Sequence, residues 1–131
     1  MRRLRILAPL AVGLIGGCDL VTSNDGCTLI GCNSGLLVQL AGPVAGPYRI
    51  EVRTPGSTAV FVSECTTAAG CTGTGGGFFP DFMPEQVSVT VTTARGTVRQ
   101  DVRPTYTTSQ PNGDECPPVC KQATVTVPLP A

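Results

Sequence analysis

From Leu36 onward the chain alternates apolar and polar residues with period two, the spacing that puts successive side chains on opposite faces of a strand. In "LLVQLAG", Leu36, Val38 and Leu40 share one face. "YRIEVRT" alternates strictly, with Tyr48, Ile50 and Val52 against Arg49, Glu51 and Arg53. Between these runs, "GPVAGP" reads as a turn-rich break. "TPGS" has Pro second and Gly third, the preference of a type II turn, and "TAVFVSE" reads as the returning strand of a hairpin. A second hairpin is predicted from "EQVSVTVTTA", with Val87, Val89 and Val91 inward and Ser88, Thr90 and Thr92 outward. It turns at Ala94–Gly96 and returns through Val98 and Val102. "KQATVTVPLP" closes the pattern with Ala123, Val125 and Val127 on one face. Two stretches lack alternation and read as loops: "CTTAAGCTGTGGG", rich in Gly and Thr, and "TTSQPNGDECPPVC". "FFPDF", between the first loop and the second hairpin, is predicted to pack on the core rim.

No window after residue 20 has helical periodicity. About seven short strands separated by turn signals, over a body of this length, predict an all-β fold: a single antiparallel, immunoglobulin-like sandwich. Gly (16) and Pro (12) are abundant among the 131 residues, but the regular Val, Leu and Ile spacing argues against disorder. With no Trp and few aromatics, the core must come from aliphatic side chains.

The N-terminus has a different pattern. "MRRLRILAPLAVGLIGG" carries three arginines, an apolar run from Ile6 to Ile15 and two small residues. That is the layout of a secretory signal peptide, and the run is shorter than the roughly 17–25 residues of a membrane span. Setting Arg2, Arg3 and Arg5 aside leaves six basic residues against nine acidic ones. Such a body lacks the clustered positive charge that nucleic-acid binding requires.

"IGGC" (Ile15, Gly16, Gly17, Cys18) resembles the lipobox of bacterial lipoproteins: an aliphatic residue, two small residues and the modified cysteine. Gly16 stands where Ala or Ser is commoner. The resemblance implies a diacylglycerol group on the Cys18 sulfur and cleavage before Cys18, usually followed by acylation of the new amino group. It divides the chain into a signal peptide (1–17, a signal helix), a lipidated tether (18–34) and a sandwich domain (35–131). It places the protein in the bacterial cell envelope, lipid-anchored to a membrane. Asp19 resembles an inner-membrane retention signal of enterobacterial sorting; other lineages follow different rules.

Removing Cys18 from the seven cysteines leaves six: Cys27, Cys32, Cys65, Cys71, Cys116 and Cys120. In an exported small domain these predict three disulfides. They fall as "CTLIGC", "CTTAAGC" and "CPPVC", and proximity favours the local pairs Cys27–Cys32, Cys65–Cys71 and Cys116–Cys120. A zinc site would need two distant pairs to converge without any His, so no metal and no cofactor is expected.

"GLLVQLAGPVAGPYRIEVRTPG" and "FFPDFMPEQVSVTVTTARGTV" together resemble the transthyretin-like, carboxypeptidase-regulatory-type sandwich. The motifs are the strand Gly46–Val52 and the aromatic-Pro turn Phe79–Pro84 leading into a Val-alternating strand. The resemblance implies an accessory β-sandwich with no catalytic residues to carry over; the cysteine loops depart from it.

Catalytic groups are sparse. His is absent, and general acid–base work then needs paired carboxylates. Glu51 and Glu64 are isolated, and the best clusters are Asp81 with Glu85 and Asp114 with Glu115. "NGDE" hints at hard-cation ligands, yet turn chemistry accounts for Asn, Gly and Asp there. "GTGGG" lacks the Lys-Ser/Thr of a phosphate loop. Arg95, Arg99 and Arg103 form a row that reads as a solvated strand face near Glu85 and Asp101, with anion binding as the alternative. The expectation is a noncatalytic envelope lipoprotein, structural or binding a protein or glycan partner. The alternative is an accessory subunit of a secreted or envelope enzyme such as a peptidase. An exposed sandwich edge is the candidate surface for strand addition.

Overall fold

The structure, a computed structural model, describes residues 26–131. The signal segment, Cys18 and the first part of the tether lie outside the described residues. Among the described residues the fold is all-β, with eight strands: β1 (Gly35–Ala45), β2 (Tyr48–Arg53), β3 (Phe61–Cys65), β4 (Thr72–Pro80), β5 (Val87–Thr93), β6 (Gly96–Val102), β7 (Thr107–Ser109) and β8 (Cys120–Pro128). They form two four-stranded sheets, ordered β4-β1-β8-β7 and β3-β2-β5-β6. Among the described residues no helix is long and apolar enough to cross a membrane.

The alternating faces meet between the sheets. Leu36, Val38, Leu40 and Val44 of β1, with Ala123, Val125 and Val127 of β8, pack against Ile50, Val52, Val87, Val89 and Val91 of the other sheet. Phe79 of β4 completes this core, and Phe82 packs against it. Burying each of the Val, Leu and Ile side chains contributes about 1.5–3 kcal/mol, so the aliphatic layer holds the fold despite its few aromatics. The first hairpin turns as its residues predict: Ser57 N–H donates to Thr54 O at 3.0 Å, and Gly56 has φ 81°. The second hairpin pairs Thr93 with Gly96 around Ala94–Arg95.

The architecture departs from the expectation in three places, besides the short β7 at the start of the second stretch read as a loop. First, β1 continues into "GPVAGP" as far as Ala45 by means of a bulge between Gln39 and Pro43. Second, β1 and β8 pair in parallel, from Gly35↔Gln122 to Ala41↔Pro128, so the sandwich is not wholly antiparallel. Parallel neighbours need a crossover, and here the other sheet lies between them in sequence. Third, the Gly- and Thr-rich stretch expected as a loop is the edge strand β4. It needs its glycines because side chains of its neighbour β1 and of the other sheet both close on it; at Gly75 these are Val44 of β1 and Tyr48 of β2. A Cβ on Gly75 would sit 2.7 Å from Val44 Cγ1, and one on Gly77 would sit 2.5 Å from Ser63 Oγ of β3. That room lets Tyr48 cross from β2, where its hydroxyl donates to Gly76 O and accepts from Gly76 N–H, both at 3.0 Å.

Candidate functional site

Because β1 and β8 run in the same direction, the sandwich has two distinct ends. The end where the chain enters holds Gly35 and Cys120, and the far end holds Ala45 and Pro128.

The entry end is clamped. Cys27 bonds Cys116, and Cys32 bonds Cys120, across sequence separations of 89 and 88. The local pairs Cys27–Cys32 and Cys116–Cys120 are therefore corrected to long-range pairs; only Cys65–Cys71 is local. The physical reason is the parallel β1–β8 pairing. It lays residues 27–32 beside residues 116–120 in the same direction, so first meets first and last meets last. Between the bridges sits Asn112, 7% exposed. Its Oδ1 accepts from Thr28 Oγ1 (2.6 Å) and Ile30 N–H (2.8 Å). Its Nδ2 donates to Ile30 O (2.8 Å) and Pro117 O (2.7 Å). One amide thus uses its full hydrogen-bonding capacity, satisfying both backbone groups of Ile30 in a segment that has no ladder of its own. Ser34 and Asn33 finish the attachment: Lys121 N–H donates to Ser34 Oγ, Asp81 N–H to Ser34 O, and Gln122 Nε2 to Asn33 O.

The far end carries an open cleft of about 220 Å³, lined by Pro43, Pro47, Tyr48, Arg95, Leu129 and Pro130 among others. That is smaller than the roughly 300–1,000 Å³ of sites for drug-sized ligands, and it suits a single side chain or sugar ring. A shallower depression adjoins it, sharing Pro47 and Tyr48 and adding Arg49, Glu64 and Cys65. Arg49 pairs with Glu51 (2.8 Å) and Glu64 (3.4 Å). The hydrogen bond to Glu51, above all, raises its pKa further. The Cys65–Cys71 bridge braces this end, where Gly46 N–H donates to Cys71 O.

The residues singled out for chemistry do not converge. Asp81 lies in the β4–β5 turn with φ 55°, and Glu115 in the β7–β8 loop with φ 65°. Among the described residues no group of three or more His, Cys, Asp or Glu side chains is placed to hold a metal. The arginine row divides. Arg95 lines the far cleft. Four residues on, Arg99 donates from Nε to Ser88 Oγ (2.8 Å) and lies 3.8 Å from Asp101. Ser88, expected to face solvent, is buried there. Asn112 and the tyrosine–glycine contact went unrecognised in the sequence: Asn112 sits among ordinary turn residues, and Tyr48 reads as one more inward strand residue. No family model, curated protein or solved structure matches this chain.

Proposed function

We propose that this protein is a noncatalytic lipoprotein of the bacterial cell envelope, anchored through Cys18 and presenting a disulfide-braced β-sandwich. The carrying observation is the run Met1–Cys18: arginines, a short apolar stretch and "IGGC" in the order that export and lipidation require. Three disulfides support it, since such bonds persist in oxidising compartments outside the cytoplasm. Two or three acyl chains anchor stably, because each buried methylene contributes about 0.8 kcal/mol.

The same reading assigns the body to the transthyretin-like, carboxypeptidase-regulatory-type group. In support, Gly46–Val52 leads into and forms most of β2, and the Phe79–Pro84 turn leads to Val87. The far cleft is the surface we assign to a protein or glycan partner, since tyrosine and arginine beside prolines suit an interface anchor. Membrane fractionation tests the anchor. Wild-type protein should sediment with membranes and shift to the detergent phase, and Cys18→Ala protein should keep its signal segment uncut and incorporate no palmitate. Processed, membrane-bound Cys18→Ala protein would defeat the proposal.

A further inference from the structure

The three most exposed large apolar side chains among the described residues are Leu29 (101%), Val119 (56%) and Ile30 (55%). All three lie at the entry end, inside the two segments that the bridges tie together: Leu29 and Ile30 between Cys27 and Cys32, and Val119 between Cys116 and Cys120. The clamp holds these segments by two disulfides and the four Asn112 hydrogen bonds, yet it turns Leu29 fully outward. Core packing gains nothing from a rigidly held, water-facing leucine.

We infer that this tip docks into the lipid surface, resting on the reading that Cys18 is acylated. The length of chain supports that occupant. Eight residues separate Cys18 from Cys27, a reach of at most about 30 Å, so an acylated Cys18 keeps the entry end within one domain diameter of the bilayer. A tether this short makes insertion an intramolecular event at high effective concentration. Three apolar side chains then suffice where they would be too few for a free protein. Asp114 and Glu115 are exposed on the same loop, so the attraction is apolar, and neutral lipid should serve as well as any. Docking stands the sandwich on its entry end and turns the cleft of Tyr48 and Arg95 away from the membrane.

The chain has no Trp, so a single introduced one reports alone. The full, processed lipoprotein carrying Leu29→Trp, and a control carrying Ala94→Trp at the far end, would be reconstituted in dioleoylphosphatidylcholine vesicles and in vesicles of its brominated analogue. Docking at a depth of about 5–10 Å should cut the Leu29→Trp emission about twofold in brominated vesicles and shift it to the blue, with the Ala94→Trp emission unchanged. Adding Ile30→Ser and Val119→Ser should reverse much of that quenching while the protein still floats with the vesicles. Flotation with both reporters equally water-exposed would overturn docking and leave the anchor standing. A blue-shifted Leu29→Trp signal indifferent to bromine would also overturn it, assigning the tip to protein, whether residues 19–25, a second copy or a partner. Quenching unaffected by the two serines would overturn it as well. Failure to float would defeat the anchor and the docking with it.

Discussion

Removing the two long-range disulfides one at a time and then together gives a result that depends on how they are connected. With Cys32–Cys120 intact, Cys27→Ala with Cys116→Ala opens only the small ring between the bridges, about a dozen residues, and should cost about 3 kcal/mol in the chain-entropy account. Cys32→Ala with Cys120→Ala should cost about the same by the same argument. Once one bridge is gone, the other closes a loop with a sequence separation near 89, and losing it costs about 4.6 kcal/mol more. The fourfold variant should therefore lose about 7.5 kcal/mol, about 1.5 more than the two double variants added together. A loss of that size rivals the entire stability of a typical domain, about 5–15 kcal/mol. Removing Cys65–Cys71, with a separation of 6, should cost only about 2.4 kcal/mol and add independently. Urea unfolding of each variant under non-reducing conditions measures all of these. Independent local rings would instead cost about 2.2 kcal/mol each with no coupling. Additive costs of that size would refute the clamp.

Three further outcomes follow from the packing. Asn112→Ala removes four short hydrogen bonds at a nearly buried site and should lower stability by about 2–4 kcal/mol; Asn112→Asp should do no better, because it cannot donate to Ile30 O and Pro117 O, and a full-strength Asp variant in urea titration would contradict this. Gly77→Ala should cost about 1–3 kcal/mol by forcing a Cβ onto Ser63, with Ser63→Gly recovering part of the loss in the double variant. Burial raises the pKa of Tyr106, whose hydroxyl donates to Pro84 O at 2.8 Å. The unfolded chain therefore releases that proton first, and stability should decline as pH rises above the ordinary tyrosine value of 10.0. Tyr106→Phe should flatten that alkaline decline in pH-dependent melting.

The strands that face one core on one side were legible, because alternation is a direct imprint of a half-buried sheet. Ile50 and Val52, or Val87, Val89 and Val91, could face nowhere else. β4 was not legible: an edge strand whose middle is Gly75, Gly76 and Gly77 has almost no side chains with which to alternate. Its signal is the steric demand of Tyr48 and Ser63 from the other sheet, which depends on tertiary structure. The disulfide pairing was hidden for a related reason. Six cysteines allow fifteen connectivities, and only the parallel register of β1 and β8 selects among them. Asn112 sits in "QPNGDE", where turn chemistry already explains an asparagine, so its role as the hub of a clamp left no separate trace. Arg95 and Arg99 looked like one row, but a four-residue step along β6 spans about 13 Å, and the turn and mid-strand positions serve different neighbours.

The central claim is that the clamped end of this sandwich is tied to a lipid-bearing Cys18. Mass spectrometry of the N-terminal peptide from protein purified out of membranes tests it most directly. The account predicts a mature chain whose first residue is Cys18, carrying a thioether-linked diacylglycerol. A mature chain beginning elsewhere, or a Cys18 recovered as a free thiol or in a disulfide, would contradict it.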